Sequence, residues 1–404
     1  MALLGHHNLS KSQVNPLLPN DNSVWIIVRG HRMVPEVLDK IVSIDPYLFP
    51  ADMTEHTWWS HKAYILVRVE TKEGFVGWGE CHNLSYREEA IVKIIQSLAQ
   101  ALTGKPAGDI RILLNAAFNE FGQQRPGMET YCAFAGLELA LWDILGKRLE
   151  APVYELLGGK LHEAIPVYAN IYSPYPQSAE AFAEMAALQV SNGYQIIKLY
   201  PFTVETPISE GIKALEAVRE AVGPNIDLAV DLWRHASPKR ALELAEAMKR
   251  FNLSWIEDPF APTDPKNMRY IRDNICQPLL TGETLPTRRE FVGLFEERAI
   301  DIINPDICLS GILELQAIAV MAEVFCVQVS PHNSNSMALG TAAAVHASLG
   351  ISNLYPVEYF PLFETVLDHV CKGRLEVKDG YIACPKSNGL GITFDDEQMV
   401  KYRV

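Results

Sequence analysis

The sequence predicts an α/β fold, a parallel (β/α)-barrel of modified TIM type with an α+β capping domain. From about residue 131 onward, short apolar runs alternate with helix-length amphipathic stretches. Eight strands, each followed by a helix, are what such a barrel requires, and strands covered by helices are apolar throughout. The eight runs are "AIPVYAN", "YQIIKLYP", "IDLAVDLW", "LSWIEDP", "QPLLTGE", "IDIINPD", "FCVQVSPH" and "NLYPVEY". A doubly wound sheet is the alternative, but no glycine-rich phosphate loop accompanies these runs.

Three segments follow from this reading of the chain. Residues 1–130 are predicted to form the capping domain, because "SVWIIVRG", "AYILVRVET" and "FVGWGE" are strand-like and helical stretches follow near 86–103 and 109–122. Residues 131–371 are predicted to form the barrel and to carry the active site. Residues 372–404 contain a hairpin pattern and are expected to return to the capping domain.

Composition excludes several partners. The 404 residues include 35 Lys and Arg against 49 Asp and Glu, a net charge of -14, which disfavours binding to nucleic acid or an anionic membrane. No apolar run approaches the roughly 20 residues of a membrane helix, and the first residues lack a secretory pattern. The seven cysteines form no CxxC pair, and Cys308 is interpreted as a small buried hydrophobe. We therefore expect a soluble, cytoplasmic protein.

Polar side chains recur at the ends of the predicted barrel strands. Successive intervals between them are 33, 26, 26, 23, 26 and 26 residues, each the length of one βα unit. Residues one unit apart lie at equivalent heights on neighbouring strands, so these side chains should converge at the C-terminal mouth of the barrel, where barrel enzymes have their active sites. The residues are Lys198, Asp231, Glu257, Glu283, Asp306, His332 and Glu358.

Three of these residues predict a metal site. Asp231, Glu257 and Glu283 come from consecutive strands, and three adjacent carboxylates require a cation to neutralise them. Ligation by oxygen alone suits Mg²⁺ better than Zn²⁺. The alternative is that each carboxylate caps the helix after its strand. Asp258 is interpreted as having such a local role, because adjacent strand residues face opposite ways.

His332 and Asp306 predict a general base. An aspartate one strand away can hold an imidazole in one tautomer and raise its basicity. The alternative is a histidine with a purely structural role. Its position beside a predicted metal site favours the catalytic interpretation.

These residues together resemble the enolase superfamily, specifically its mandelate racemase subgroup, which contains acid-sugar dehydratases. The matching motifs are "KLY", "VDLW", "WIEDP", "TGE", "NPD", "PHNS" and "GFVGWGE", and they cover nearly the whole chain. The resemblance implies that the three carboxylates bind Mg²⁺ and that His332, paired with Asp306, removes the proton α to a carboxylate. It further implies that Lys198 neutralises developing charge from the opposite side and that Glu358 binds the substrate carboxyl group.

Two positions depart from the family pattern. Tyr200 replaces the lysine that serves as second base in the subgroup's racemases, which excludes racemisation through that lysine. Trp233 replaces a histidine that protonates the departing hydroxyl in many acid-sugar dehydratases. Three solutions remain open for the acid: His332 itself, Lys198 or Tyr200 from the other face, and His235 from the loop. Trp233 either narrows the substrate pocket or packs in the barrel mouth.

Further substrate contacts are expected from the capping domain. The stretch 49–63 lies where this family has a mobile specificity loop, and it contains His56 and two tryptophans that either cover the ligand or anchor the cap. Arg32 is a candidate contact for an anionic distal group of the substrate.

The predicted activity is a Mg²⁺-dependent hydro-lyase that converts a sugar acid into a 2-keto-3-deoxy acid. The chief alternative is a racemase or epimerase that uses His332 and Lys198 on the same fold. A non-catalytic binding barrel and a two-carboxylate glycosidase leave the third carboxylate and the His332–Asp306 pair unexplained. The expected partner is a small carboxylate, and the resemblance implies a homo-oligomer.

Overall fold

A three-stranded antiparallel sheet begins the part of the chain that the computed structural model describes, namely residues 39–50, 63–172, 178–333, 336–361 and 367–404. Its strands are β1 (Ile41–Pro50), β2 (Ala63–Thr71) and β3 (Val76–Cys81), in the order β1-β2-β3. The "KEG" turn joins β2 to β3, and Gly74 supplies the positive φ of 86° that the turn requires. β2 and β3 were predicted, β1 was not, and the strand predicted at "SVWIIVRG" lies outside the described residues.

Four helices follow this sheet: α1 (Glu88–Leu102), α2 (Ile110–Ala117), α3 (Met128–Arg148) and α4 (Val153–Leu156). α3 lies directly on β3, and two glycines of the strand make this close approach possible. A Cβ at Gly77 or Gly79 would lie 2.1 or 1.9 Å from a backbone oxygen of α3. The "GWG" motif is therefore required for packing.

Each of the eight predicted runs contains a barrel strand. These are β4 (Ala164–Asn170), β5 (Ile196–Leu199), β6 (Asp227–Asp231), β7 (Trp255–Glu257), β8 (Leu279–Thr281), β9 (Ile302–Ile303), β10 (Gln328–Val329) and β11 (Val357–Tyr359). The helices between them are α5 (Ala179–Ser191), α6 (Ile208–Val222), α7 (Pro238–Met248), α8 (Pro265–Asn274), α9 (Arg288–Glu296), α10 (Ile307–Val324) and α11 (Ala338–Ser348).

The strands pair in parallel from β4 through β10, and β11 pairs in parallel with β4. The ring closes through a bridge between Val329 and Leu354. Inside it, a separate buried cluster packs beneath the strand ends: Tyr168, Ala229, Trp255, Leu280 and Ile302. The predicted α/β barrel with an additional α+β layer is confirmed, and the barrel interior is a packed core that supports the polar ring above it.

The C-terminal residues contact both parts of the structure. The predicted hairpin consists of β13 (Val377–Lys378) and β14 (Tyr381–Ala383), and β14 pairs antiparallel with β4 of the barrel. β12 (Cys371–Lys372) pairs with β15 (Thr393–Phe394), and α12 (Asp396–Met399) follows. Arg403 then binds Asp45 of β1 at 2.6 Å. The domain boundaries at 130 and 371 stay a prediction.

The expectation that no apolar run approaches membrane-spanning length was wrong for α10, which is long and apolar enough by composition alone to cross a membrane, with a mean hydropathy of 1.7. Its backbone is interrupted at Gly311, where φ is 77°. It connects β9 to β10 and packs against α3 and α11, and half of it is buried. Its apolar composition is thus accounted for by its place among the barrel helices.

Candidate active site

The seven predicted strand-end residues lie together at the mouth of the barrel. Backbone register places them there, because Asp231 pairs with Glu257 across β6 and β7, and Asp306 forms an isolated parallel bridge with His332. All are buried except Glu283, whose side chain is 11% exposed. The predicted convergence is therefore observed.

Asp231, Glu257 and Glu283 form a carboxylate triad. Each offers an oxygen, and the three oxygens lie within 4.8 Å of one another. Burial raises the pKa of Glu257 well above its usual value, although Lys198 opposes the shift, and burial also raises the pKa of Asp231. Burial opposes the ionisation of Glu283 too, but His332 and Arg234 hold its pKa well below the usual value. Three buried carboxylates, two of which are costly to ionise, fit a divalent cation, which would compensate their charges.

Lys198 compensates negative charge on two carboxylates of the triad and on Glu358. Its Nζ lies 2.8 Å from Glu257 Oε1, 2.7 Å from Glu358 Oε1 and 3.4 Å from Asp231 Oδ2. Burial lowers its pKa, but these carboxylates outweigh burial and hold the pKa well above the usual lysine value. Lys198 is therefore a fixed positive charge with its donors engaged.

Two asparagines that were not predicted complete the hydrogen bonds of this cluster. Asn170 ends β4 in register with Lys198, and its amide donates to Glu358 Oε1 at 2.7 Å and to Tyr200 at 2.8 Å. Asn304 donates to Glu257 Oε1 at 3.0 Å. Asn170 lies one βα unit before Lys198, so the same spacing could have identified it.

His332 and Asp306 form the predicted pair. His332 Nδ1 lies 2.6 Å from Asp306 Oδ2, while Asp306 Oδ1 accepts the backbone N–H groups of Cys308 and Leu309. The other ring nitrogen, Nε2, lies 2.9 Å from Glu283 Oε2. Asp306 thus has two functions, since it caps α10 and also orients the imidazole.

Neighbouring carboxylates set the protonation of His332. Burial lowers its pKa, but Glu358, Glu283 and the hydrogen bond that its Nδ1–H donates to Asp306 together raise the pKa well above the usual histidine value. Burial would raise the pKa of Asp306, yet His82 and His332 hold that pKa well below its ordinary range. Asp306 therefore favours its ionised form, and an ionised aspartate that holds one ring nitrogen is the arrangement that orients an imidazole for general-base catalysis.

Arg234 lies between the carboxylate triad and Asp258. Its Nη1 lies 2.6 Å from Glu283 Oε1 and also donates to Asp258, which accepts a second hydrogen bond from Thr281. Asp258 therefore has local partners, as its position beside Glu257 indicated. No sequence signal singled out Arg234, because the loop after β6 brings it back by adopting a left-handed backbone at 63°.

Aromatic side chains line the mouth near Asp231. The ring centroid of Tyr172 lies 4.9 Å from that of Tyr200 and 6.2 Å from that of Trp233, whose backbone N–H donates to Asp231 Oδ1 at 2.7 Å. Trp233 is 37% exposed, and His235 packs beside it at 5.2 Å. Burial and Arg234 lower the pKa of His235. Tyr200 and Trp233 thus lie beside the predicted metal site, while His56 and Arg32 lie outside the described residues.

Two family models match the chain over adjacent ranges. The model described as mandelate racemase / muconate lactonizing enzyme, N-terminal domain, matches residues 39–158. The model described as enolase C-terminal domain-like matches residues 180–398. Together they span the capping sheet and the barrel.

Individual relatives agree with these matches. A D-gluconate dehydratase from Thermoproteus tenax is 29% identical, over 90% of this chain and 74% of that protein. A D-galactarolactone cycloisomerase from Agrobacterium fabrum is 27% identical, over 85% of this chain and 92% of that protein. The solved structure of a mandelate racemase/muconate lactonizing enzyme from Jannaschia sp. CCS1 superimposes with a TM-score of 0.80 at 29% identity, over 90% of this chain and 98% of that one.

Proposed function

Because the chain belongs to the mandelate racemase and muconate lactonizing enzyme family of the enolase superfamily, we propose that it is a Mg²⁺-dependent hydro-lyase acting on a sugar acid. It removes the proton α to the carboxylate and eliminates the 3-hydroxyl group to give a 2-keto-3-deoxy acid. The observation that carries the proposal is the carboxylate triad beside the His332–Asp306 pair. Its similarity to a D-gluconate dehydratase and a D-xylonate dehydratase supports the proposal.

The metal ligands are Asp231, Glu257 and Glu283. When bound, Mg²⁺ supplies positive charge that stabilises the negative charge developing on the substrate carboxylate as the proton leaves. Three carboxylates leave coordination positions for substrate oxygens and water, which is how proteins commonly bind Mg²⁺. The raised pKa of Glu257, caused chiefly by burial, supports this assignment.

His332 is the base. Its Nε2 faces Glu283 and Glu358, at 2.9 and 3.4 Å, so this nitrogen points towards the predicted metal site. Its Nδ1 is held by Asp306, so Nε2 is the atom that accepts the α-proton. Lys198, bound to three carboxylates, acts as a stabilising charge, and Glu358 binds the substrate carboxyl group.

The leaving hydroxyl takes its proton from His332. Trp233 has no acidic proton, and Tyr200 accepts a hydrogen bond from Asn170 while burial raises the pKa of its phenol well above the usual value. Lys198 is engaged by three carboxylates, and burial and Arg234 lower the pKa of His235, so that imidazole is less protonated than a free histidine. A single imidazole that takes the α-proton and returns it to the departing oxygen requires a syn elimination.

Tyr200, Trp233, His56 and Arg32 are the proposed substrate contacts beyond this centre. The aromatic wall near Asp231 restricts the width of the pocket, which supports a compact acid. We further propose that the protein works as a cytoplasmic homo-oligomer on a small carboxylate, without a nucleic-acid or membrane partner.

A second candidate is a cycloisomerase acting on the lactone of a diacid sugar, the activity named for one relative. The observation in its favour is that Trp233 lies beside Asp231, at the position where a dehydratase would have the residue that protonates the departing hydroxyl group. A lactone ring oxygen departs as a carboxylate and needs no proton donor, so an aromatic residue there is tolerated. This reaction proceeds without loss of water.

The test is incubation of the purified protein with Mg²⁺ and a library of sugar acids, diacids and their lactones in D₂O, read by mass spectrometry. The controls are His332→Asn and His162→Asn, since His162 lies before β4 at the opposite end of the barrel, where it contacts Ile351. Loss of water that only His332→Asn abolishes is the expected result. A lactone that gains deuterium without losing water and gives a keto acid by NMR would favour the second candidate, whereas an acid that gains deuterium and keeps all its hydroxyl groups would indicate an epimerase.

A further inference from the structure

His82 brings a second imidazole to Asp306. Its Nδ1 lies 3.2 Å from Asp306 Oδ2, the oxygen that also contacts His332 Nδ1 at 2.6 Å. The two imidazole centroids are 6.1 Å apart. One carboxylate oxygen therefore lies between two histidines, one from the end of β3 and the other from the barrel.

The backbone of β3 fixes the position of His82. Its N–H donates to Cys308 O at 2.9 Å, at the start of α10. Two residues earlier, Glu80 accepts the N–H groups of Met337 and Gly340, at 2.8 and 2.9 Å, at the start of α11. β3 is thus attached to the two helices that follow Asp306 and His332.

His82 Nδ1 lies close to Asp306 Oδ2, but the two atoms do not have the geometry of a hydrogen bond. Among the described residues, His82 Nδ1 is buried and has no partner in hydrogen-bond geometry, although the side chain as a whole is 14% exposed. A buried ring nitrogen without a partner costs free energy, and Asp306 Oδ2 is the acceptor within reach. Catalytic hydrogen bonds are often long in ligand-free structures and tighten when the substrate binds.

We propose that His82 is a positioning residue of the base, donating Nδ1–H to Asp306 Oδ2 and so holding that carboxylate in line with His332. Backbone N–H groups of α10 already hold Oδ1, so a donor on Oδ2 prevents rotation of the carboxylate. The inference rests on the proposed function. It makes the orientation of the base dependent on the docking of β3 on the barrel.

A matched pair of substitutions tests the donor. His82→Asn places an amide N–H near the position of Nδ1. His82→Leu introduces a side chain of about the same size as asparagine that has no hydrogen-bond donor. We expect His82→Leu to lower kcat about 10- to 100-fold, by analogy with the loss found for residues that orient metal ligands, with KM changed less than about twofold. His82→Asn should retain most of kcat. Equal losses in both variants, or none in His82→Leu, would overturn the proposal.

The route of the effect is tested in the Asp306→Asn background. If His82 acts through Asp306, the double variant should have a kcat less than about twofold below that of Asp306→Asn alone. If His82→Leu lowers kcat as much in the Asp306→Asn background as in the wild type, His82 acts independently of the carboxylate.

A measurement on the resting protein separates this inference from the proposed function. In histidine-labelled protein, the downfield Nδ1 proton of His332, identified by its loss in His332→Asn, should persist in His82→Asn and broaden or shift in His82→Leu. His162→Leu should leave it unchanged. An unaltered resonance in His82→Leu overturns the positioning role, whereas a wild-type protein that transforms no acid or lactone overturns the proposed function alone.

Discussion

Trp233 has a left-handed backbone conformation, with φ at 41°, and Arg234 follows at 63°. Such a conformation costs about 1 kcal/mol or more for a residue with a Cβ, and strain of this kind is often found at functional sites. It aims the backbone N–H of Trp233 at Asp231 and turns Arg234 towards Glu283. The strain is compensated by contacts within the site.

Trp233→Gly should therefore leave the free energy of unfolding within about 1 kcal/mol of wild type, because relieved strain offsets the lost ring contacts. KM for the substrate should rise about tenfold, the loss expected when one aromatic contact is removed. Trp233→Phe is the control and should retain KM. Strong destabilisation with an unchanged KM would instead assign the ring to packing.

Lys198→Met should destabilise the protein by about 3–5 kcal/mol, since removing one partner of a buried ion group leaves the others uncompensated. Glu257 and Glu358 would lose a cation that now lies within 2.8 Å of each. Denaturant unfolding measures the loss. The exposed pair of Lys160 and Glu163 provides the control, and Lys160→Met should change little.

The strand-end residues were predictable because residues one βα unit apart lie at the same height on neighbouring strands of a barrel. Asp231 and Glu257, for example, need only the spacing of their strands to become register partners. Arg234 and His82 were not predictable in this way. Each reaches the site from a loop or from another sheet, and sequence spacing carries no information about such contacts.

At the scale of elements, β1 shows why a pattern can fail. Its sequence "IVSIDPYLFP" contains Asp45–Pro46, a pair typical of turns, and so was not recognised as a strand. β1 is the edge strand of its sheet, and Pro46 is tolerated there because its backbone faces away from β2, where its carbonyl oxygen accepts the N–H of Val404 at 3.2 Å and no N–H is needed for the ladder. Strand propensity alone could not reveal this position.

Because β3 packs closely on α3, we expect that adding even a single methyl group to β3 at Gly79 destabilises the protein. Gly79→Ala would place a Cβ 1.9 Å from Gly136 O, a backbone atom that cannot move away freely. We expect a destabilisation of about 3 kcal/mol or more, measured by denaturant unfolding. Gly108→Ala is the matched control, because the nearest atom there is the end of the Arg148 side chain at 3.8 Å. Equal effects in the two variants would contradict the packing argument.

His346 connects α11 to α4 by a hydrogen bond, and we expect it to make the free energy of unfolding depend on pH. Its Nδ1 accepts the Tyr154 N–H at 3.2 Å, and burial lowers its pKa from 6.5 to about 4. Between these values the unfolded chain binds a proton that the native protein does not, so stability should fall as pH drops from about 7 to 4. The loss from this residue is about 3 kcal/mol at most.

His346→Asn keeps an acceptor near Nδ1 but does not titrate, so its unfolding free energy should depend less steeply on pH over that interval. Denaturant midpoints measured at several pH values give the comparison. Parallel curves for the variant and wild type would show that His346 does not titrate in this range.

The whole molecule carries a net charge of -14, and part of that negative charge is buried in the carboxylate triad at the barrel mouth. The sequence predicted the barrel and most of this centre because the same βα unit is repeated eight times along the chain. How β3 docks against α10 and α11 had no such repeat, so the contribution of the cap emerged only from the structure.

Because the triad joins strands β6, β7 and the end of β8, metal binding should stabilise the entire barrel. Mg²⁺ at about one hundred times its dissociation constant should add about 2.7 kcal/mol, and the melting temperature should rise with metal concentration. Glu257→Gln should abolish this rise, while NaCl at equal ionic strength should not reproduce it. A Mg²⁺-dependent rise that survives in Glu257→Gln would place the ion elsewhere, since Asp231 and Glu283 alone would lack the ligand between them.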